Sequence, residues 1–437
     1  MEWQFALSLA IFTMLVLFFI GIPVFVTFLV INIAAIAYLL GTAGFGLFAN
    51  SIYQSLTSAS LTAIPLFILM GEVLFRSGIA DTLIDSIDRL LGKIRGRDFL
   101  LITLLSTLFS ALCGSAVAVA ALMGRTIMPS MNRRGYSVRL TSGAIVGGAT
   151  LAAIIPPSLA VVVLGSLVNL SIGSLLIAGI IPGIFIATLI LIYTYIRIII
   201  NPALEPAAVE SISTEHPVRD RFFAVLQIMP FTLVIFSVIG MIMLGIATPS
   251  ESAATGVIGA MFTSAIFRKL SFSMFCDSIL STTRITVMIL IILAASKLFG
   301  QLLSFIGASA GLLETVTSLD LSNGWMFIVL MAIPFLLCMF VDVFAVVAVA
   351  VPIYLPIVNN CGFDPIWFWM LFLINIVLGS MTPPFGYTLF SLKGAADNVK
   401  IQDIYIGALP IVFIFIIGLT VMYFFPSMVT FLPTFFN

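Results

Sequence analysis

Four short segments of this chain gather hydroxyls, two thiols, glycines and paired prolines within otherwise apolar surroundings. The first reads Phe109-Ser110-Ala111-Leu112-Cys113-Gly114-Ser115-Ala116, and the second Ala152-Ala153-Ile154-Ile155-Pro156-Pro157-Ser158. The third is Leu337-Cys338-Met339-Phe340-Val341-Asp342, and the fourth Gly379-Ser380-Met381-Thr382-Pro383-Pro384-Phe385-Gly386. Pro156 and Pro383 are 227 residues apart, so the second pair of segments repeats the first almost half a chain later. Proline has no N–H and clashes with the preceding turn, so each pair should break its helix and free carbonyls. Within a bilayer, free carbonyls are tolerated only where they line a buried or watery cavity. Carbonyl and hydroxyl oxygens together make a hard-oxygen cage that suits Na⁺. Small-residue helix packing is the competing reading of the Gly114-Ser115 turn.

Asp342 is costly at bilayer depth and calls for a partner, water or a cation, unless it serves only as a helix cap. Thr382 adds a hydroxyl just before the second break, where the first has Ile155 and backbone alone. Glu72 and Lys297 occupy matching positions in the two halves and read as snorkelling or structural ion-pair residues. Glu251, three residues after Thr248, reads as a helix cap.

The surroundings of these segments set the class. The chain has 437 residues, 62% of them hydrophobic and 8% charged, with mean hydropathy +1.27. A soluble fold has no place for so much apolar surface, so the chain reads as an all-α polytopic membrane protein. Net charge is zero and the basic residues are scattered, which argues against nucleic-acid binding. No cleavable signal pattern precedes the first apolar run. The four cysteines show no metal spacing, and the one histidine, His216, lies in a polar stretch; both argue against a hydrolase or metalloenzyme.

Charge placement orders the spans. Arg89, Lys93, Arg95 and Arg97 precede the apolar region 99–130, and Arg125, Arg133, Arg134 and Arg139 follow or border its end. Basic residues favour the cytoplasm, so both ends of that region belong inside and the region reads as a re-entrant hairpin. The matching region 323–358 is flanked by stretches free of Lys and Arg, which places its ends outside. Counting outward gives about ten full spans, two hairpins entering from opposite faces, and both termini outside. The domains follow: a first repeat over 1–200, a cytoplasmic linker at 201–222, and a second repeat over 223–437 with inverted topology. Segment 44–60 reads as an interfacial helix, with a counterpart at 271–284.

These motifs resemble the large membrane subunit of TRAP transporters, the DctM type. The resemblance is carried by Phe67-Ile68-Leu69-Met70-Gly71-Glu72, Ser110 with Gly114-Ser115-Ala116, Ile155-Pro156-Pro157-Ser158 and Ala178-Gly179-Ile180-Ile181-Pro182-Gly183. It continues through Thr248-Pro249-Ser250-Glu251, Met339-Phe340-Val341-Asp342 and Thr382-Pro383-Pro384-Phe385-Gly386. It implies a Na⁺-driven elevator importer of small carboxylates, not an enzyme, in the bacterial inner membrane. A small four-helix membrane subunit and a periplasmic substrate-binding protein are its implied partners. One cation site would involve Ser110, Cys113, Ala152, Ile155 and Pro156, the other Cys338, Gly379, Thr382 and Phe385. Gly114, Ser115, Ser158, Asp342, Pro383, Pro384 and Gly386 would border the substrate path. Cys113 stands where a hydroxyl residue is usual in the family, so the first site would lean on carbonyls. A stand-alone Na⁺/dicarboxylate symporter of related architecture is the alternative.

Overall fold

The computed structural model describes residues 3–78, 80–91, 96–205, 218–396 and 398–436. Among them the chain is helical, with no strand. The linker residues 206–217, with His216, lie outside the described residues, as do Lys93 and Arg95.

The first half starts with α1 (Trp3–Phe19), α2 (Val24–Leu39), α3 (Gly44–Leu56), α4 (Ala63–Arg76) and α5 (Ala80–Leu91). α6 (Arg97–Cys113) and α7 (Ala116–Thr126) make the first hairpin, and α8 (Met128–Arg133) follows it. α9 (Val138–Thr150) enters the first proline break and α10 (Leu159–Val168) leaves it; α11 (Ile172–Ala178) and α12 (Ile180–Ile200) complete the half. The second half runs through α13 (Val218–Met243), α14 (Pro249–Ile266), α15 (Phe272–Phe305) and α16 (Ala308–Ser318). Its hairpin is α17 (Asn323–Cys338) with α18 (Val343–Asn360), and its broken helix is α19 (Pro365–Ser380) with α20 (Tyr387–Ala395). α21 (Ile401–Phe424) and α22 (Ser427–Phe436) end the chain.

Local chemistry sets these boundaries. Gly114 stops α6 in the left-handed region at φ 62°, where a glycine carries no steric cost, and its N–H reaches the Ser110 carbonyl at 2.9 Å. Ser115 then caps α7, its hydroxyl accepting from the Ala118 N–H. At the second tip Asp342 does the same for α18, accepting the Phe344 N–H at 2.9 Å. Before the first break, the N–H groups of Ile154 and Ile155 converge on the Leu151 carbonyl at 2.9 and 2.8 Å. Both Pro156-Pro157 and Pro383-Pro384 are cis.

The broken helices are the innermost elements. Every residue of α10 is buried, as are α19 from Trp367 onward and α9 from Leu140 onward. In a bilayer, small residues that let backbones approach closely do the work that water exclusion does elsewhere. α9 and α21 cross in that way at a glycine pair, since a Cβ at Gly143 would lie 2.5 Å from the Gly407 carbonyl oxygen. α4 packs on α14 and α15, and α13 on α14 and α5. Around the breaks the halves interlock: α7 lies against α20, and α18 against α10.

One expected symmetry is absent. Segment 271–284 does not stand apart as an interfacial helix; it runs unbroken into the 34-residue α15. α3 and α4 are parted by extended Ser58 and by Pro65 in the first turn of α4, whereas 272–305 contains no proline. Five segments, 172–200, 222–243, 272–305, 343–360 and 401–424, are each long and apolar enough to cross a membrane unaided. The broken helices are assembled from shorter pieces.

Candidate functional site

The first tip and the first break face each other. Ser110, buried in α6, donates its hydroxyl to the carbonyls of Gly148 and Ala149 at 2.8 and 3.1 Å. This needs near-contact of backbones: a Cβ at Gly148 would lie 2.5 Å from the Cβ of Ser106. A Cβ at Gly114 would lie 3.3 Å from the Pro157 carbonyl oxygen and 3.6 Å from the Leu159 nitrogen, so the tip abuts the break. The carbonyls of Ala152 and Ala153 would normally take the N–H groups of residues 156 and 157, which prolines lack. Ser158 supplies Ala153 with a hydroxyl at 2.7 Å while capping α10. The Ala152 carbonyl keeps no helical donor. Ala152 and Pro156 are buried, and Cys113 and Ile155 partly so.

The second tip and break repeat the arrangement. A Cβ at Gly379 would lie 2.6 Å from the Phe335 carbonyl oxygen and 3.0 Å from the Cβ of Cys338. Thr382 donates its hydroxyl to the Leu378 carbonyl at 2.7 Å and its N–H to that of Gly379 at 3.0 Å. A donating hydroxyl keeps its lone pairs, so Ser110 and Thr382 remain able to face a cation. Gly386 turns the chain at φ 22° beside the Thr382 carbonyl. Phe385, exposed at the break, meets Phe340 of the tip with ring centroids 5.1 Å apart.

The structure therefore gathers Ser110, Cys113, Ala152, Ile155 and Pro156 at one junction and Cys338, Gly379, Thr382 and Phe385 at another. Ser115, Ser158 and Asp342, assigned to the substrate path, serve as helix caps at the same junctions. Asp342 is the one acidic or basic side chain in the four segments. Glu72 pairs with Arg76 one turn on at 2.6 Å, as a structural reading predicts. Thr248 and Glu251 form a reciprocal capping box, the Thr248 N–H donating to the carboxylate at 2.8 Å. That N–H, and then the Thr248 hydroxyl, hold the Glu251 carboxyl below the usual range. Beside the base of the first hairpin, partial burial and then a hydrogen bond to Asp98 push the Tyr136 phenol up.

Several supporting residues escaped the sequence reading. Gly71 lets α4 pass the first tip, since a Cβ there would lie 3.2 Å from the Leu112 and Cys113 carbonyl oxygens. Gly179 admits the Ile154 carbonyl, and Gly183 the Ile155 side chain. Both stood in a quoted motif without a role. Asn375 donates to the Met331 carbonyl at 2.7 Å, holding α19 to α17; a lone amide in an apolar run was the available signal. Tyr405 donates to the Pro384 carbonyl, and nothing in the sequence marks it.

The model of the family described as "Tripartite ATP-independent periplasmic transporter, DctM component" matches residues 11–428. The ectoine TRAP transporter large permease protein TeaC of Halomonas elongata is 30% identical over 97% of this chain and 98% of its own length. The C4-dicarboxylate TRAP transporter large permease protein DctM of Pseudomonas aeruginosa is 28% identical over 88% of each. The 2,3-diketo-L-gulonate TRAP transporter large permease protein YiaN of Escherichia coli is 29% identical over 94% of this chain and 95% of its own. The fold is shared with the YdaH transporter of Alcanivorax borkumensis at TM-score 0.64 and 12% identity, over 88% of this chain and 89% of that one. MtrF of Neisseria gonorrhoeae shares it at 0.57 and 14% identity, over 88% and 85%. With its apolar helices, paired tips and paired breaks, the chain belongs to the DctM family, the large multi-pass permease component of tripartite ATP-independent periplasmic transporters.

Proposed function

We propose that this permease imports a small carboxylate across the bacterial inner membrane by symport with Na⁺, moving its two tip–break junctions together as an elevator. The observation that carries the reading is the duplicated junction: a helix tip facing a helix broken by two prolines, with carbonyl oxygens that have lost their helical donors. Such oxygens, with the hydroxyls of Ser110 and Thr382, suit a small hard cation and supply no general base or nucleophile. One Na⁺ would sit among Ser110, Cys113, Ala152, Ile155 and Pro156, the other among Cys338, Gly379, Thr382 and Phe385. Asp342, Gly114, Ser115, Ser158, Pro383, Pro384 and Gly386 would border the solute. The family's ATP independence supports an ion gradient as the energy source.

The two sequence halves, 1–200 and 223–437, act as inverted repeats, each giving part of a fixed scaffold and part of a moving carrier. A tripartite family implies two partners, a small membrane subunit and a periplasmic binding protein that delivers the solute. The names of the relatives cite ectoine, C4-dicarboxylate and 2,3-diketo-L-gulonate, so the solute is assigned here only to the small carboxylates.

Uptake by proteoliposomes tests the reading. A panel of radiolabelled carboxylates, ectoine and a C4-dicarboxylate among them, is offered under an inward Na⁺ gradient. Accumulation is expected only with both partners present and only with Na⁺. Equal uptake by the chain alone would sink the tripartite reading in favour of the stand-alone symporter, and uptake indifferent to Na⁺ would remove the coupling.

A further inference from the structure

We propose that Ser391 is a positioning residue that couples the two ion sites, so that filling one raises the affinity of the other; the inference rests on the two-site reading above. The second break leads directly into α20. Thr382 and Phe385 lie within the break, Gly386 turns the chain, and the helix starts at Tyr387. One turn later the Ser391 hydroxyl donates to the Val117 carbonyl at 2.8 Å, joining residues 274 positions apart. Val117 lies in the first turn of α7, two residues past the Ser115 cap and four past Cys113 of the first tip. Farther on, α7 and α20 are too close to slide independently. A Cβ at Gly124 would lie 2.9 Å from the Cβ of Ala395 and 3.0 Å from Cδ1 of Leu392.

A cation that draws in the oxygens around Thr382 and Phe385 fixes the turn at Gly386 and hence the direction of α20. Through Ser391 and the Gly124 contact, that direction sets where α7 begins, and so the shape of the first tip. Among the described residues no side-chain hydrogen bond joins α10 to α18, the equivalent contact, so the polar link runs on one side only. A second path supports it: Tyr405 of α21 holds the Pro384 carbonyl, and Gly407, two residues on, packs against α9 before the first break. Coupling of this kind is a free energy shared by both sites, and each ion must feel it equally.

The link is clean to remove. Within α7 the Val117 carbonyl keeps the N–H four residues on as its helical partner, so Ser391→Ala leaves no orphaned acceptor. One hydrogen bond of ordinary net strength corresponds to roughly a fivefold coupling factor. Binding of radioactive Na⁺ to the purified full-length chain in nanodiscs reads this directly, without need of the solute. The wild type is expected to bind sigmoidally, with a Hill coefficient of about 1.4, the value that roughly fivefold coupling gives two like sites. Ser391→Ala is expected to lower the coefficient toward one and weaken half-saturation about twofold, the square root of the coupling factor, while keeping the number of ions bound. Ser391→Thr should restore sigmoidal binding. Ser391→Cys, a weaker donor of similar size, should fall between and serves if the alanine variant does not reach the membrane. An unchanged Hill coefficient in Ser391→Ala overturns the inference, as does a loss of bound ions with the coefficient kept, which marks Ser391 as packing. Two-ion binding that is hyperbolic in the wild type overturns the coupling and leaves the transport reading standing. No Na⁺ binding at all overturns both.

Discussion

Spin labels introduced by Phe19→Cys and Phe340→Cys, with Cys276 and Cys361 replaced by serine, should report two distances whose proportions shift with Na⁺ and solute. The expectation comes from a mismatch between the halves. Tip two meets the last residues of α1, with the rings of Phe19 and Phe340 5.9 Å apart. Tip one meets α13 near Phe231, which shares a small cavity with Leu112 and Cys113. Subtracting the 227-residue offset places Phe231 at the start of α1 rather than its end. A second ruler agrees in direction. Gly71 touches the first tip itself, whereas around its counterpart in α15 the contacts are Ser296 to Ala348 and Gly300 to Pro352, several residues past Asp342. On the inverted topology proposed from the charge rule, both tips would then lie toward the cytoplasm. If the halves exchange these registers, tip two rises against α1 by about 10 Å on the α15 ruler and about 20 Å on the α1 ruler, at 1.5 Å per helical residue. Double electron–electron resonance in nanodiscs should therefore show a short population and one roughly 10–20 Å longer. A single distance, unmoved by Na⁺ and solute, would refute the exchange of registers and with it the elevator.

Further outcomes follow from the same geometry. Thr382→Val removes the hydroxyl immediately before the second proline pair; about tenfold weaker apparent Na⁺ affinity is expected in a Na⁺ titration of uptake, for a loss of about 1.4 kcal/mol. Gly379→Ala drives a methyl into the Phe335 carbonyl. Destabilisation of about 1–3 kcal/mol should appear as a lower melting temperature in detergent, while unchanged melting would mean α17 and α19 part easily. The Glu251 carboxyl is held low by the Thr248 N–H and hydroxyl. Its contribution to the start of α14 is therefore full above the unfolded value of about 4.3 and lost as pH falls through the lower folded value. Amide exchange in 247–252, corrected for intrinsic rates, should rise in that window, and Glu251→Gln should abolish the rise.

Most of the architecture was legible because it rests on backbone chemistry. Paired prolines remove N–H groups wherever they occur, so Pro156-Pro157 and Pro383-Pro384 announce breaks without tertiary help. Gly114 and Asp342 likewise mark their tips through turn and capping preferences. The pairing of each tip with its break was also legible, since Gly114 lies against Pro157 and Gly379 against Cys338. The cross-links were hidden. Ser391 and Tyr405 act on carbonyls 274 and 21 residues away, and their own neighbours carry no trace of it. The register of each tip against its scaffold helices was equally unreadable, because one repeated pattern is compatible with either register. The continuity of α15 is not legible from the repeat, because the first half breaks at extended Ser58 and Pro65 while the matching stretch of the second half has no proline.

The interlocking of α7 with α20 and of α18 with α10 bears on how the molecule is made. The N-terminal half leaves the ribosome first, with Gly124 and the buried faces of α9 and α10 still lacking the helices that cover them. Neither half can finish its own centre: the first waits for α20 and α21, and the second closes only around helices already inserted. Insertion of the individual helices and completion of the central core are thus separate events, and the second cannot finish before α20 and α21 are translated. Until then the half-built protein exposes small-residue helix faces to lipid, which makes that interval the point at which membrane quality control can act on the nascent chain.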